Sequence, residues 1–180
     1  MKNIALIGYR ATGKTTVAKE LASRLPGWNW VDADVEIERA AGKTIAQIFQ
    51  QSGESGFRDL ESTVTAELLL RPQTIIATGG GVVIRPENRN LLKQSAFVVW
   101  LKASVDTIYK RMYSDETTAT RRPALTNSAP YEEIVKMLEL RFPWYEQTAL
   151  VSLETDSLSV EQIADWFLRQ YEVPEKTDRK

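Results

Sequence analysis

Short runs of consecutive apolar residues alternate along the chain with longer segments in which apolar residues recur every third or fourth position. Ile4–Ile7 is the first apolar run and reads as a strand. Thr15–Leu25 follows with helical spacing, Val17, Leu21 and Leu25 on one face beside Ala18 and Ala22, and Pro26-Gly27 ends it. Trp28–Val31 is a second strand leading into Asp32-Ala33-Asp34, and Val35–Ala41 is a helix stopped by Gly42. Phe57–Leu70 places Phe57, Leu60, Val64 and Leu68 on one helical face. Thr74–Ala77 and Phe97–Leu101 are further strands, with a helix over Pro86–Lys93 between them. Ser104–Met112, with Ser104 as N-cap, and Tyr131–Arg141 read as helices. Leu150–Leu153 is a fifth strand, and Ser159 with Gln162 forms a capping-box pattern that opens a last helix to about Tyr171.

This alternation predicts an α/β fold: a five-stranded parallel sheet with helices on both faces, making three layers. One domain over 1–173 accounts for all of it. The polar, Thr- and Arg-rich stretch Tyr113–Pro130 reads as a mobile lid, and 174–180 as a frayed tail.

Composition narrows the chemistry. The chain has 180 residues with 23 basic and 24 acidic side chains, so it lacks the basic excess of a general nucleic-acid or membrane-surface binder. It has neither cysteine nor histidine, which excludes disulfides, thiolate metal sites and imidazole catalysis. A catalytic base must be a carboxylate, lysine or tyrosine, and a bound metal must be a hard cation such as Mg²⁺ held by oxygen. The apolar run at the N-terminus is too short for a signal-peptide core, and no stretch is long enough to span a bilayer, so a cytoplasmic protein is expected.

Gly8-Tyr9-Arg10-Ala11-Thr12-Gly13-Lys14-Thr15 matches G-x-x-x-x-G-K-[ST], with a strand before it and a helix after it. Gly8 and Gly13 permit the tight turns that let successive N–H groups face a phosphate, and the helix points its positive end at the same anion. Lys14 would reach the β- and γ-phosphates of ATP, and the Thr15 hydroxyl would ligate Mg²⁺. Ala11 and Thr12 belong to the same cradle, and an alanine at 11 costs little if its φ is negative. Thr16 reads better as helix surface than as a second ligand.

The acceptor side is carried by four other features. Asp32 and Asp34 stand at a strand's C-terminal end, where open parallel sheets bind ligands, and in extended backbone they would point the same way. Capping of the next helix is the alternative for Asp34, and a similar one holds for Asp32. Arg58 lies within Phe57-Arg58-Asp59-Leu60-Glu61, on its own only a solvated helix charge. Gly79-Gly80-Gly81 ends the third strand and suits close backbone approach to a ligand. Arg141 closes a helix before Phe142-Pro143, where a cation is favourable in any case.

In order, the segments GYRATGKTT, VDAD, GFRDLE, ATGGGVV, RRPAL, ELRFPWYEQTA and ETDSLS resemble the shikimate kinase family over nearly the whole chain. The resemblance implies the P-loop NTPase fold and ATP-dependent phosphorylation of the shikimate 3-hydroxyl by a cytoplasmic enzyme, often a monomer. It implies Mg²⁺ near Thr15 and Asp32, and Asp34 as the group that binds shikimate hydroxyls and takes the attacking proton. It implies Arg58 and Arg141 as a carboxylate clamp, Gly79, Gly80 and Gly81 as the turn against the substrate, and Arg122 as the lid arginine, with Arg121 adjacent. Arg111 would flank adenine. A related small-metabolite kinase, such as a gluconate kinase, shares the P-loop but has no need of the FRDLE, TGGG and Arg141 combination. A nucleoside monophosphate kinase would need a base pocket that no segment suggests. A silent nucleotide-binding module would not retain every motif residue.

Overall fold

The computed structural model describes residues 2–114 and 130–171. The strands are β1 (Asn3–Ile7), β2 (Asn29–Asp32), β3 (Thr74–Ala77), β4 (Ala96–Lys102) and β5 (Val151–Glu154). All pair in parallel in the order β2-β3-β1-β4-β5. The helices are α1 (Lys14–Arg24), α2 (Ala33–Ala41), α3 (Ile45–Leu70), α4 (Pro86–Ser95), α5 (Val105–Ser114), α6 (Pro130–Thr148) and α7 (Val160–Tyr171). Of the segment 113–130 expected as a lid, 113–114 and 130 are helical, at the end of α5 and the start of α6, and 115–129 lie outside the described residues. Arg121, Arg122 and the tail 174–180 also lie outside them.

Side-chain alternation along the strands divides the core in two. Ala5, Ile7, Ile76, Val98 and Trp100 face α2, α3, α4 and Tyr145 of α6. Ile4, Leu6, Ile75, Ala77, Val99 and Leu101 face α1 and α7. Burial of this two-sided apolar sheet is the main driving force for the fold, and both layers of helices are needed to complete it.

Two helices exceed their sequence expectation. α3 starts at Ile45 and not near Phe57, because Thr44 and Gln47 form a reciprocal capping box: Gln47 N donates to Thr44 Oγ1 at 3.3 Å and Thr44 N to Gln47 Oε1 at 2.9 Å. Gly53, with φ 66° and ψ −173°, interrupts the helical backbone and obscures that continuity in the sequence. α6 passes Arg141 and runs through Pro143 to Thr148. Proline forfeits one helical N–H bond there, but burial of Tyr145 against Trp100, rings 5.4 Å apart, holds the continuation in place. Arg141 is therefore mid-helix and not a C-terminal cation.

The loop after β1 turns on Gly8, with φ 140°, where a Cβ would collide with the Leu101 carbonyl oxygen. Gly13 follows at φ 90° and opens α1. Ala11 sits between them at φ 61°, so the condition for a cost-free alanine is not met: its Cβ is strained in the left-handed region.

Two stability predictions follow from these backbones. Ala11→Gly is expected to raise unfolding free energy by about 1 kcal/mol in urea titration, less what glycine gains in the unfolded chain. Thr44→Ala is expected to lower it by about 1 kcal/mol through loss of the cap. An Ala11→Gly protein clearly less stable than the parent would show that strain at this position is smaller than the entropy glycine gains in the unfolded chain.

Candidate active site

Parallel pairing of β1 with β2's neighbour β3 brings the loop after β1 beside the glycine turn after β3, at the C-terminal edge of the sheet. The two loops nearly touch: a Cβ on Gly80 would lie 3.2 Å from the Arg10 amide nitrogen. Everything the sequence singled out within the described residues converges on this edge, with Thr16 exposed at its rim.

On the phosphate side, Lys14 is buried and donates to the carbonyl oxygens of Gly8 at 2.9 Å and Tyr9 at 2.7 Å. It thus spans the loop it would serve. Thr12 is buried with its hydroxyl on Tyr9 O at 2.9 Å, which stiffens the loop from within. α1 has no side-chain cap and no acidic residue of its own in its first turn, so none of its own side chains occupies its leading N–H groups. Arg111 donates to Ala11 O at 3.3 Å and ties α5 to the loop.

Asp32 does two things at once. Its Oδ1 accepts from the Asp34 amide at 3.0 Å and caps α2, while its Oδ2 accepts from the Thr15 hydroxyl at 2.7 Å. The cap is therefore Asp32 and not Asp34. Because the helix begins at Ala33, the two aspartates do not share an extended segment, and Asp34 instead enters the neighbouring pocket from the first turn of α2. The Thr15 hydroxyl and Asp32 carboxylate form a hard oxygen pair that fits Mg²⁺, with phosphate and water to complete the shell. No group of three or more acidic side chains suited to a metal occurs among the described residues, so a protein-only metal cage is not built there.

The pocket on the other side is lined by Asp34, Arg58, Glu61, Gly79, Gly80, Gly81 and Arg141, with Tyr9, Phe49 and Phe57 among its apolar walls. Arg58 is 7% exposed and is held by Glu61 Oε2 at 2.6 Å and Glu54 Oε1 at 3.2 Å, each one helical turn away. Its guanidinium rests on Gly81 so closely that any Cβ there would overlap it. At Gly79 a Cβ would lie 2.9 Å from both Asp34 Oδ1 and Glu61 Oε1. None of these three glycines has positive φ, so they are required for space: three charged side chains close against bare backbone. Glu61 is pushed above the usual carboxylate range by burial, and the Arg58 charge pulls it partly back.

Arg141 enters from α6 at 6% exposure and differs from Arg58 in its partners. Nη1 donates to Gly80 O at a long 3.2 Å, Nη2 approaches the Met137 sulfur at 3.8 Å, and Nε has no hydrogen-bond partner. It lies 5.8 Å from the Tyr9 ring centroid and makes no ion pair among the described residues.

Glu61, Tyr9 and Tyr145 were not singled out from the sequence. For Glu61 a signal existed: its spacing of three from Arg58 puts the two on one helix face. For the tyrosines none did, since their contacts are long-range.

The model for the family described as shikimate kinase matches residues 10–172. A shikimate kinase of Thermodesulfovibrio yellowstonii is 41% identical over 172 residues, covering 96% of each chain. One from Rhodopirellula baltica is 41% identical over 162 residues, covering 90% of this chain and 86% of its own. The structure of shikimate kinase from Acinetobacter baumannii in complex with shikimate superimposes with a TM-score of 0.88 at 37% identity, over 95% of this chain and 93% of that one. With a phosphate loop, an arginine-lined pocket beside it and these likenesses along almost its full length, the chain belongs to the shikimate kinase family.

Proposed function

We propose that this kinase transfers the γ-phosphoryl group of ATP to the 3-hydroxyl of shikimate, giving shikimate 3-phosphate and ADP. The observation that carries the reading is Arg141: a buried guanidinium, incompletely hydrogen-bonded and without an ion pair among the described residues, facing the pocket that also holds Arg58 and Asp34. Burying a guanidinium with no direct ion pair is costly, and a carboxylate on the acceptor relieves that cost through a planar, charge-assisted bond. The solved relative that holds shikimate, at 37% identity, supports the same acceptor.

Phosphoryl transfer asks a protein for positioning and charge neutralisation more than for covalent chemistry. In this reading Arg58 and Arg141 bind the acceptor's carboxylate, and Gly79, Gly80 and Gly81 form the wall it lies against. Asp34 orients the attacking hydroxyl and takes its proton. Backbone N–H groups from Ala11 to Thr16 hold the phosphates, and Lys14 leaves the Gly8 and Tyr9 carbonyls for the β- and γ-phosphates. Thr15 and Asp32 would hold Mg²⁺, which would supply neutralisation of phosphate charge. Arg111 flanks the adenine, and Arg122, outside the described residues, reaches the transferring group. The working form is a cytoplasmic monomer with one catalytic domain over 1–173, as the family resemblance implies.

The test is ADP release from MgATP in a coupled assay, with shikimate, gluconate, nucleoside monophosphates or no acceptor in parallel. Turnover is expected with shikimate alone, and equal turnover with gluconate would remove the acceptor assignment. Arg141→Ala is expected to raise the shikimate KM by about 10- to 100-fold, the worth of a hydrogen bond to a charged group, with the ATP KM little changed.

A further inference from the structure

We infer that Tyr145 is a positioning residue for the acceptor: its buried hydroxyl fixes the Gly80 carbonyl that in turn sets the place of the Arg141 guanidinium. The inference rests on the acceptor reading given above and names a residue outside the clamp itself.

The Tyr145 hydroxyl donates to Gly80 O at 2.5 Å, and Arg141 Nη1 donates to the same oxygen at 3.2 Å. One carbonyl therefore carries two donors from the same helix, four residues apart and so on one face. The shorter bond is the tyrosine's. It holds the oxygen while the arginine uses what acceptor capacity remains, which keeps the guanidinium near the turn but incompletely satisfied. Tyr145 is itself immobilised. It is wholly buried, and its ring stacks on Trp100 of β4 at 5.4 Å with 24° between planes. Trp100 sits opposite Ile7 in the β1–β4 ladder, one residue before Gly8 of the phosphate loop. The hydroxyl thus references the acceptor's cation to the strand that carries the phosphate cradle. Burial raises its pKa above the ordinary tyrosine value, so it remains a donor at neutral pH.

A purely structural reading makes a different demand. In that case the Tyr145 ring fills space between α6 and the sheet, and the oxygen merely satisfies a buried carbonyl. Loss of the hydroxyl would then cost stability and impair both substrates alike.

The experiment is steady-state kinetics on Tyr145→Phe and Tyr145→Leu, each alone and combined with Arg141→Ala, with MgADP binding and thermal midpoints measured on every protein. Tyr145→Phe removes one oxygen and leaves the ring. It is expected to raise the shikimate KM about tenfold, the worth of one well-placed hydrogen bond, while the ATP KM and MgADP affinity stay within twofold. In the Arg141→Ala background the same change is expected to alter kcat/KM for shikimate by less than twofold, because the group it positions is gone. Tyr145→Leu reports packing, with a larger fall in midpoint. An unchanged shikimate KM in Tyr145→Phe overturns the inference. So does an equal effect with and without Arg141, and so does a parallel loss for both substrates. If the parent enzyme does not phosphorylate shikimate at all, it is the acceptor reading that falls, and the shikimate-free MgADP data separate the two cases.

Discussion

The whole acceptor site depends on holding two guanidinium groups out of water within one cavity. Each buried charge costs several kcal/mol unless it is paired. The protein compensates one and leaves the other under-compensated. Arg58 is pinned between Glu61 and Glu54 on its own helix, so its position is set before any ligand arrives. Arg141 has a weak bond to a carbonyl, a sulfur and an aromatic face, which leaves it poorly satisfied among the described residues. The two arginines therefore differ: one is a fixed reference, and the other retains hydrogen-bonding capacity facing the pocket.

That arrangement needs bare backbone beside it. Gly79 and Gly81 leave room for Asp34, Glu61 and Arg58 to close onto the end of β3, and a single methyl at Gly81 would displace the arginine. The same turn is tied to the phosphate loop through the sheet. Thr78 donates from both its amide and its hydroxyl to Leu6 O, at 3.1 and 2.8 Å, one strand away. Phosphate donor and acceptor pocket are therefore held in register by β1 and β3. In-line transfer between two separately bound substrates depends on such rigidity.

Much of this was readable from residue order. Five strands and the helices between them followed from apolar runs and 3.6-residue spacing, because burial against a two-sided sheet imposes those periods locally. The phosphate loop was readable because its chemistry is local: two glycines, a lysine and a hydroxyl within eight residues. The cap at Thr44 was present as Thr-x-x-Gln but hidden by the Gly53 break behind it. Continuation of α6 through Pro143 ran against local propensity and was decided by Tyr145 packing on Trp100, a contact 45 residues apart in sequence.

What the sequence determined by itself was the class of fold, the nucleotide cradle and the identity of the charged residues around it, since each rests on neighbours within a few positions. Only tertiary structure decided how those charges divide their work. That Asp32 caps α2 and meets Thr15, that Arg58 is ion-paired while Arg141 makes no ion pair among the described residues, and that Gly80 joins Arg141 to Tyr145 are consequences of which helix faces which strand. Ala11 makes the same point at the scale of one residue: the motif leaves its position free, and only the folded loop puts its φ at 61°. Local pattern fixes which groups are present, but burial and partnering set their energies, and both are properties of the packed whole.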